Sequence, residues 1–559
     1  MASFAETFDY VIVGAGTAGC VLAARLSERS DARVCLIEAG GPDRHPFIHI
    51  PAAVAAAIGT RSLNWGFLTV PQPHLNGRRI PIPRGRVVGG SGAINGMVYF
   101  RGQPHDFDGW AAAGNPGWSY AEVLPYFIRS ESNANYPGSP YHGTSGPMRV
   151  THVRRPNPLN KAFFEAMGAL QFRRCDDFNA SDPEGYGPRQ ATVREGRRES
   201  TASAYLKPAL RRSNLRVLTG ARVLRVLIEG GRATGVEVAL GAGPGSEMRR
   251  IGARAEVILA GGSILSPHIL LLSGIGEGAQ LHRVGVEVKL DLPAVGAHLH
   301  DHLAAAVLME MRHSASYGLS VRAAPRGVWN LLEYALRRQG PLASNVFEAN
   351  AFVRTRPELP RPDIQIVFQP ARRNPHGFPL PLGHGFAVSI VNLYPRSRGR
   401  ITLASADPRT PPDIDPNLLS VPEDLEPLVR GLELARRIAG SPSFARYRAH
   451  EVAPGAAVQG EAALGNYVRQ FATTVHHPVS TCRMGPGGDC VVDAQLRVRG
   501  LEGLRVADAS IFPSILGGNT NAAVVMIAEK ASDMILGRPA PRPIDVTGAS
   551  ARVAEPTAA

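Results

Sequence analysis

The hexapeptide Gly14-Ala15-Gly16-Thr17-Ala18-Gly19 constrains this chain more than any other feature of its sequence. It follows the apolar run Tyr10-Val11-Ile12-Val13. It opens a stretch, Thr17 to Arg29, in which Val21, Leu22 and Leu26 recur at helical spacing. A second apolar run, Arg33 to Ile37, ends at Glu38. Strand, glycine turn, helix and strand make a βαβ unit. The glycines permit a tight turn and let the backbone approach a pyrophosphate, which then rests on the helix N-terminus. Glu38, with Ala39 after it, stands where an acidic side chain accepts hydrogen bonds from a ribose diol. The later run Gly241–Gly245 joins strands, opens no helix and reads as a plain loop.

The rest of the chain extends this unit into a doubly wound α/β core. Short strands are expected at Leu215–Leu218, Arg222–Ile228 and Gly235–Leu240, with Glu229-Gly230-Gly231 as a hairpin turn. Ala255–Leu259 reads as a buried strand opening onto Ala260-Gly261-Gly262. Residues 42–83, rich in proline, glycine and aromatics, read as extended coverage. Between about 311 and 475 the pattern changes. Alternating runs at Ile364–Phe368 and Phe386–Leu393 predict a separate antiparallel sheet, with helices near 327–338 and 422–439. The expected fold class is therefore α/β: a Rossmann-like nucleotide domain with a second, α+β substrate domain. The first domain is expected over 1–155, 211–310 and 476–540, and the second over 156–210 and 311–475. A disordered tail is expected over 541–559. A final helix is predicted over about Ala522–Leu536.

Composition removes several function classes. The net charge of +14 comes almost wholly from arginine, since the only lysines are Lys161, Lys207, Lys289 and Lys530. No basic run is interleaved with aromatics, so nucleic-acid binding is not expected. A diffuse positive field leaves peripheral attachment to an anionic membrane open. Five cysteines at irregular spacing give neither a disulfide framework nor a CxxC metal pair, and Cys20 and Cys35 fall inside a helix and a strand. No metal site is expected. No apolar run reaches the roughly 18–20 residues that span a bilayer. No charged and apolar leader precedes the first strand. A cytoplasmic protein, free or peripheral at the inner membrane, is the expectation.

Three further segments carry chemistry. The cluster from Gly85 to Asn95, which contains Val88, Gly89, Gly90 and Ser91, offers several backbone N–H groups without bulky side chains. It suits close packing against a second part of a large cofactor. His476-His477-Pro478 places two adjacent imidazoles, of which at most one is expected to face a given site. Histidine is the side chain best able to take a proton near neutral pH. Gly517-Gly518-Asn519-Thr520-Asn521 precedes the last helix, where either asparagine suits a cap or a hydrogen bond to a substrate oxygen.

Together these segments resemble the glucose–methanol–choline (GMC) oxidoreductase family, from Phe8 to about Leu536. The resemblance rests on the first glycine motif and on Gly85–Asn95 with its continuation Gly96-Met97-Val98-Tyr99-Phe100-Arg101-Gly102. It rests further on Gly262–Pro267 running into Ser273–Gly276, on His477–Gly485 and on Asp508–Asn521. It implies an FAD held by Gly14, Gly16, Thr17, Ala18, Gly19, Glu38 and Ala39, and by Val88, Gly89, Gly90, Ser91, Asn95, Gly96, Met97 and Val98. Val223, Asp508, Ala509 and Asn521 complete that set. His477 becomes the base that takes the hydroxyl proton while the carbinol hydride passes to flavin N5, and Asn519 its partner. Where some members carry a histidine that bonds FAD covalently, this chain has Ile94, so non-covalent FAD is implied. Gly92-Ala93 also departs from the two serines usual in related dehydrogenases.

Segments such as Ser344–Ala349 and Pro395–Arg400 are similar to those of choline dehydrogenases and of aliphatic-alcohol dehydrogenases. Glu348 matches a carboxylate that holds the choline ammonium, although alkanol enzymes carry it too. The expected reaction is oxidation of a primary aliphatic alcohol to the aldehyde, with a quinone or another carrier as electron acceptor. Choline oxidation, a peroxide-producing oxidase and a flavin-binding protein without turnover remain alternatives.

Overall fold

The opening apolar run forms the strand Glu6–Val13, and its parallel partner Val34–Glu38 is buried along its whole length. Both sides of these strands are covered, which is why they read as continuous rather than alternating apolar runs. In this computed structural model, which describes residues 4–241, 243, 245–318, 320–374 and 382–546, they lie at the centre of a seven-stranded sheet. Its order is Leu215–Thr219, Val34–Glu38, Glu6–Val13, Glu247–Leu259, Arg232–Leu240 and Ala221–Glu229, with Leu504–Val506 also paired to Glu247–Leu259. The half of the sheet around Glu6–Val13 is parallel; the last two strands form an antiparallel arm. Val13 pairs with both Ile37 and Leu259, so the glycine turn leaves at the carboxyl edge of the sheet.

The helix after the turn, Thr17–Leu26, sits hard against its own strand: a Cβ on Gly19 would lie 1.8 Å from the Gly14 carbonyl oxygen. The closing helix Asn521–Leu536 packs beside it and ends at Gly537 with φ +64°, the left-handed residue that commonly stops a helix. Its buried Glu529 pairs with Arg25 and Arg129.

The second sheet is antiparallel, in the order Arg448–Ala453, Leu303–Met311, His384–Asn392, Ile364–Gln369, Ala349–Val353 and Gly185–Pro188. Thr473–Thr474 also pairs with Leu303–Met311. The helix Glu426–Gly440 covers one face, burying Leu428, Leu432, Ala435 and Ile438. Burial of each large apolar side chain there contributes roughly 1.5–3 kcal/mol. Gly431 lets the helix close in, since a Cβ there would lie 2.3 Å from Ile390 Cγ2.

Several boundaries move. Leu303–Met311 begins well before the expected divide at 310 yet pairs in the second sheet. Its apolar run would fit either sheet, and periodicity does not name a partner. The segment Ala202–Leu206, expected with the second domain, packs on Thr17–Leu26, with the Tyr205 hydroxyl donating to Glu529 at 2.7 Å. Residues 42–83 form short helical turns, such as Pro46–His49 and Val54–Gly59, rather than extended coverage. Of the expected tail, residues 541–546 lack regular structure but are docked: Ile544 N–H donates to Ala121 O at 2.9 Å. Residues 547–559 lie outside the described residues, as do 242 and 244 of the loop Gly241–Gly245. Among the described residues no helix is long and apolar enough to cross a membrane.

Candidate active site

A cavity of about 1130 Å³ lies between the two sheets. It exceeds the ~300–1,000 Å³ common for small-molecule pockets, so it has room for a large cofactor and a substrate together. At one end stands the glycine turn. Gly14 has φ +101°, and a Cβ there would lie 2.8 Å from Ala260 O. Gly90 has φ +53°, and its Cβ would lie 2.6 Å from Gly16 Cα, so the two glycine clusters touch through bare backbone. A Cβ on Gly92 would reach within 2.9 Å of Thr17 Oγ1. Glu38 accepts from Ala15 N–H at 2.9 Å and Gly40 N–H at 2.7 Å, and burial pushes its pKa up to about 7.

Of the residues expected to hold FAD, Gly14, Gly16, Thr17, Ala18, Glu38, Ala39, Gly90, Ser91, Asn95, Gly96, Met97, Val98, Val223, Asp508, Ala509 and Asn521 line this cavity. Gly19, Val88 and Gly89 do not. Gly19 faces its own strand, and the N–H groups of Val88 and Gly89 are spent on Gly41 O and Ala15 O. Asp508 binds Gly262 N–H and the Ser266 hydroxyl, at 2.8 and 2.6 Å, bracing the loop after Leu259. Asn521 does not cap the last helix; it accepts the Thr17 hydroxyl at 2.8 Å and ties the two helices together. The open turn, the bare glycine contact and the unpartnered buried hydroxyl of Ser263 in the cavity wall fit an FAD. Ile94 lines the cavity and offers no nucleophilic side chain for a covalent bond to a cofactor.

The other end is built around His477. Its Nε2 lies 3.1 Å from Asn519 Nδ2, and its Nδ1 lies 3.0 Å from His302 Nδ1. His302 Nε2 lies 3.0 Å from Leu393 O, which can only accept. The network therefore assigns the protons. His302 donates through Nε2, so its Nδ1 is a lone pair. His477 must donate through Nδ1, which leaves Nε2 as a free base. Asp301 accepts both His302 N–H and His477 N–H at 2.8 Å, fixing the two backbones together. Burial, then the neighbouring His302, His476, Arg84 and Arg189, hold the His477 pKa well below 6.5. The imidazole is neutral at pH 7.

Arg189 donates to Asn519 Oδ1 at 3.0 Å, so the amide NH₂ turns toward His477. Asn519 is thus placed as a donor rather than a cap. His476 also lines the cavity, contrary to the expectation that only one of the pair would. Its backbone is left-handed, at φ +67°, which swings both rings to the same wall. Its ring pairs with the Thr474 hydroxyl at 3.2 Å, and its carbonyl accepts from Arg84 at 2.6 Å. Arg84, Arg189, Asp301 and His302 were not foreseen. The run Leu299-His300-Asp301-His302 carried a signal; the two arginines carried none.

Glu348, expected near the substrate, is not in the cavity wall. Its carboxylate accepts from Asn157 N–H at 2.7 Å, from Asn160 Nδ2 at 2.5 Å, from the Tyr317 hydroxyl at 2.6 Å and from the Ser344 hydroxyl. With its acceptor sites taken up inside the protein, it braces loops behind the cavity wall. Among the described residues there is no cluster of side chains able to hold a metal ion.

The GMC oxidoreductase models match this chain at residues 8–304 for the N-terminal part and 395–528 for the C-terminal part. An alcohol dehydrogenase [acceptor] of Pseudomonas putida is 41% identical over 529 residues, 95% of this chain and 96% of that protein. An oxygen-dependent choline dehydrogenase of Rhizobium etli is 43% identical over 543 residues, with the same coverage. The crystal structure of pyridoxine 4-oxidase from Mesorbium loti superimposes with a TM-score of 0.85 at 34% identity, over 95% of this chain and 100% of that one. That of a formate oxidase gives 0.89 at 25% identity, over 96% and 99%. Matched along nearly its whole length in sequence and in fold, the chain belongs to the GMC oxidoreductase family of FAD-dependent enzymes.

Proposed function

We propose that this enzyme oxidises a primary aliphatic alcohol to the aldehyde and passes the electrons to a quinone or another carrier. The observation that carries the reading is the unprotonated Nε2 of His477, held in the cavity wall where it accepts from the Asn519 amide. An alcohol is too weakly acidic to ionise unaided, so loss of hydride needs a base already in place. His477 Nε2 takes the hydroxyl proton, and the Asn519 NH₂ pivots to donate to the substrate oxygen. Arg189 keeps that amide from flipping. An FAD held at the two glycine clusters would supply the two-electron acceptor for the carbinol hydride. Gly14, Gly16, Thr17, Ala18, Glu38, Ala39, Gly90, Ser91, Asn95, Gly96, Met97 and Val98 are the residues we assign to its binding, with Val223, Asp508, Ala509 and Asn521. We further assign the Glu6–Val13 sheet to the cofactor and the Leu303–Met311 sheet to the substrate.

The charge of the cavity favours a neutral alcohol over choline. Arg84, Arg189 and Arg373 line it and bond to His476 O, Asn519 Oδ1 and Gln369 Oε1, none of them a carboxylate. Burial lowers the pKa of Arg84 and Arg189 to about 10 and 9, which leaves both cationic at neutral pH. Glu348 is outside the wall and only Arg84 of the three has a buried carboxylate beside it, Asp301, so a quaternary ammonium near Arg189 and Arg373 would meet like charge. The remaining wall, including Ile94, Phe347, Val367 and Val391, suits an alkyl chain.

The test is anaerobic mixing of the yellow enzyme with alkanols, aromatic alcohols, polyols and choline. Medium alkanols should bleach the flavin fastest and choline slowest; bleaching by none of the panel would sink the proposal. Reoxidation by a quinone faster than by oxygen is expected, and the reverse would make the enzyme an oxidase.

A further inference from the structure

The helix Ala324–Arg337 is amphipathic the wrong way round for a soluble protein. Its apolar stripe, Val328, Trp329, Leu332 and Leu336, follows helical spacing, as Leu428, Leu432, Ala435 and Ile438 do on Glu426–Gly440. Yet the second stripe is buried and the first is not: Val328, Trp329, Leu332 and Leu336 are 57, 65, 51 and 82% exposed. The inward side is held instead by Tyr334, whose hydroxyl donates to Gly196 O at 3.1 Å, and by the half-buried Gly327 and Asn330, which line the cavity; Leu331, 60% exposed, widens the apolar stripe at the cavity rim.

At about 100° per residue, Arg326 and Arg337 flank the stripe on one side, and both are exposed; Arg338 follows the helix as its left-handed cap, with its guanidinium over the Tyr334 ring. The one acidic residue of the helix, Glu333, is paired with Arg155 at 2.7 Å. We propose that this helix docks the enzyme on an anionic bilayer surface, with the stripe in the headgroup–acyl boundary and the arginines on lipid phosphates. A tryptophan and aliphatic stripe beside arginines is the pattern of a helix lying in a membrane interface. A second copy of the chain fits less well, because stripe against stripe would bring like arginine flanks together. Val321 and Leu382, both exposed, line the cavity mouth beside the helix. Given the alcohol-oxidising reading above, docking would set that mouth where apolar alcohols and quinones partition.

The FAD-loaded full chain is sedimented with phosphatidylcholine vesicles, with and without phosphatidylglycerol, in a binding assay that needs no turnover. Binding is expected on the anionic vesicles and is weakened by salt. The triple variant Trp329→Ser, Leu332→Ser, Leu336→Ser should bind about tenfold less or worse and keep its flavin absorbance. Its turnover of a water-soluble alcohol with an artificial acceptor should be unchanged. Absence of wild-type binding, or equal binding by the variant, overturns the proposal. So does a vesicle-free dimer that the variant dissociates, since the face would then belong to a second copy. Failure of turnover with intact vesicle binding would count against the reaction and leave the surface standing.

Discussion

At His477 two hydrogen-bond chains meet and decide which ring nitrogen is free. One runs from Leu393 O through His302 to Nδ1; the other runs from Arg189 through Asn519 to Nε2. Both give the same tautomer. Replacing His477 by Ala removes the base and should slow flavin reduction by about 10²–10⁴-fold, with FAD still bound. Loss of FAD would instead make the residue structural. Arg189→Leu leaves the base in place but frees the Asn519 amide. Its kcat should fall about tenfold, the effect of one misplaced hydrogen bond, with a smaller change in KM; a rise in KM alone would contradict the role. The pH dependence has a definite sign. Burial and nearby cations hold the His477 pKa well below 6.5, so the active, neutral form persists as pH falls through 6.5. The rate of flavin reduction at saturating alcohol should therefore stay level down to pH 6.5 and fall only below it. A rate already halved at pH 6.5 would show an ordinary histidine.

Among the elements, those built from local pattern were legible and those fixed by distant partners were not. The βαβ opening, the strands Ala221–Glu229 and Arg232–Leu240 and the last helix all announce themselves through periodicity and glycine punctuation. Glu247–Leu259 was read only from Ala255, because its first half is arginine-rich and half exposed, paired antiparallel on the outer arm. Glu348 was misplaced for a different reason: its sequence context says nothing about the four donors that converge on it from residues 157–344. Arg189 reaches the site from beyond the end of a four-residue edge strand, with no spacing to betray it. The glycine clusters were legible as a cradle, but not that they touch. That contact makes Gly90→Ala a sharp test. The new Cβ would press on Gly16 Cα at 2.6 Å, in a left-handed conformation, and part the two turns. Stability should drop by about 1–3 kcal/mol, and the purified variant should retain markedly less FAD per chain by absorbance. A variant with full flavin content would mean that the cradle can yield.

Taken whole, the molecule has two large hydrophobic cores, one under each sheet, with smaller apolar clusters and the cavity beside them. The walls come from both sides: Gly14–Ala18 and Ala260–Gly262 from one, Val367, Val391 and His476–Pro478 from the other. A ligand that fills this space touches both cores and binds only when both are formed. Such a ligand stabilises the native state by mass action, about 2.7 kcal/mol when present at a hundred times its Kd. Removing FAD by mild acid or chaotrope should therefore lower the temperature of heat-induced unfolding by a few degrees, and added FAD should restore it in proportion to the logarithm of its concentration. Calorimetry of the stripped and reconstituted protein measures this directly. Because the two largest apolar clusters are separate, the stripped protein should also unfold less cooperatively, with a calorimetric enthalpy exceeding the van't Hoff value. One sharp transition, unmoved by FAD, would mean that the two sheets hold together without the cofactor and that the cavity is not the joint between them.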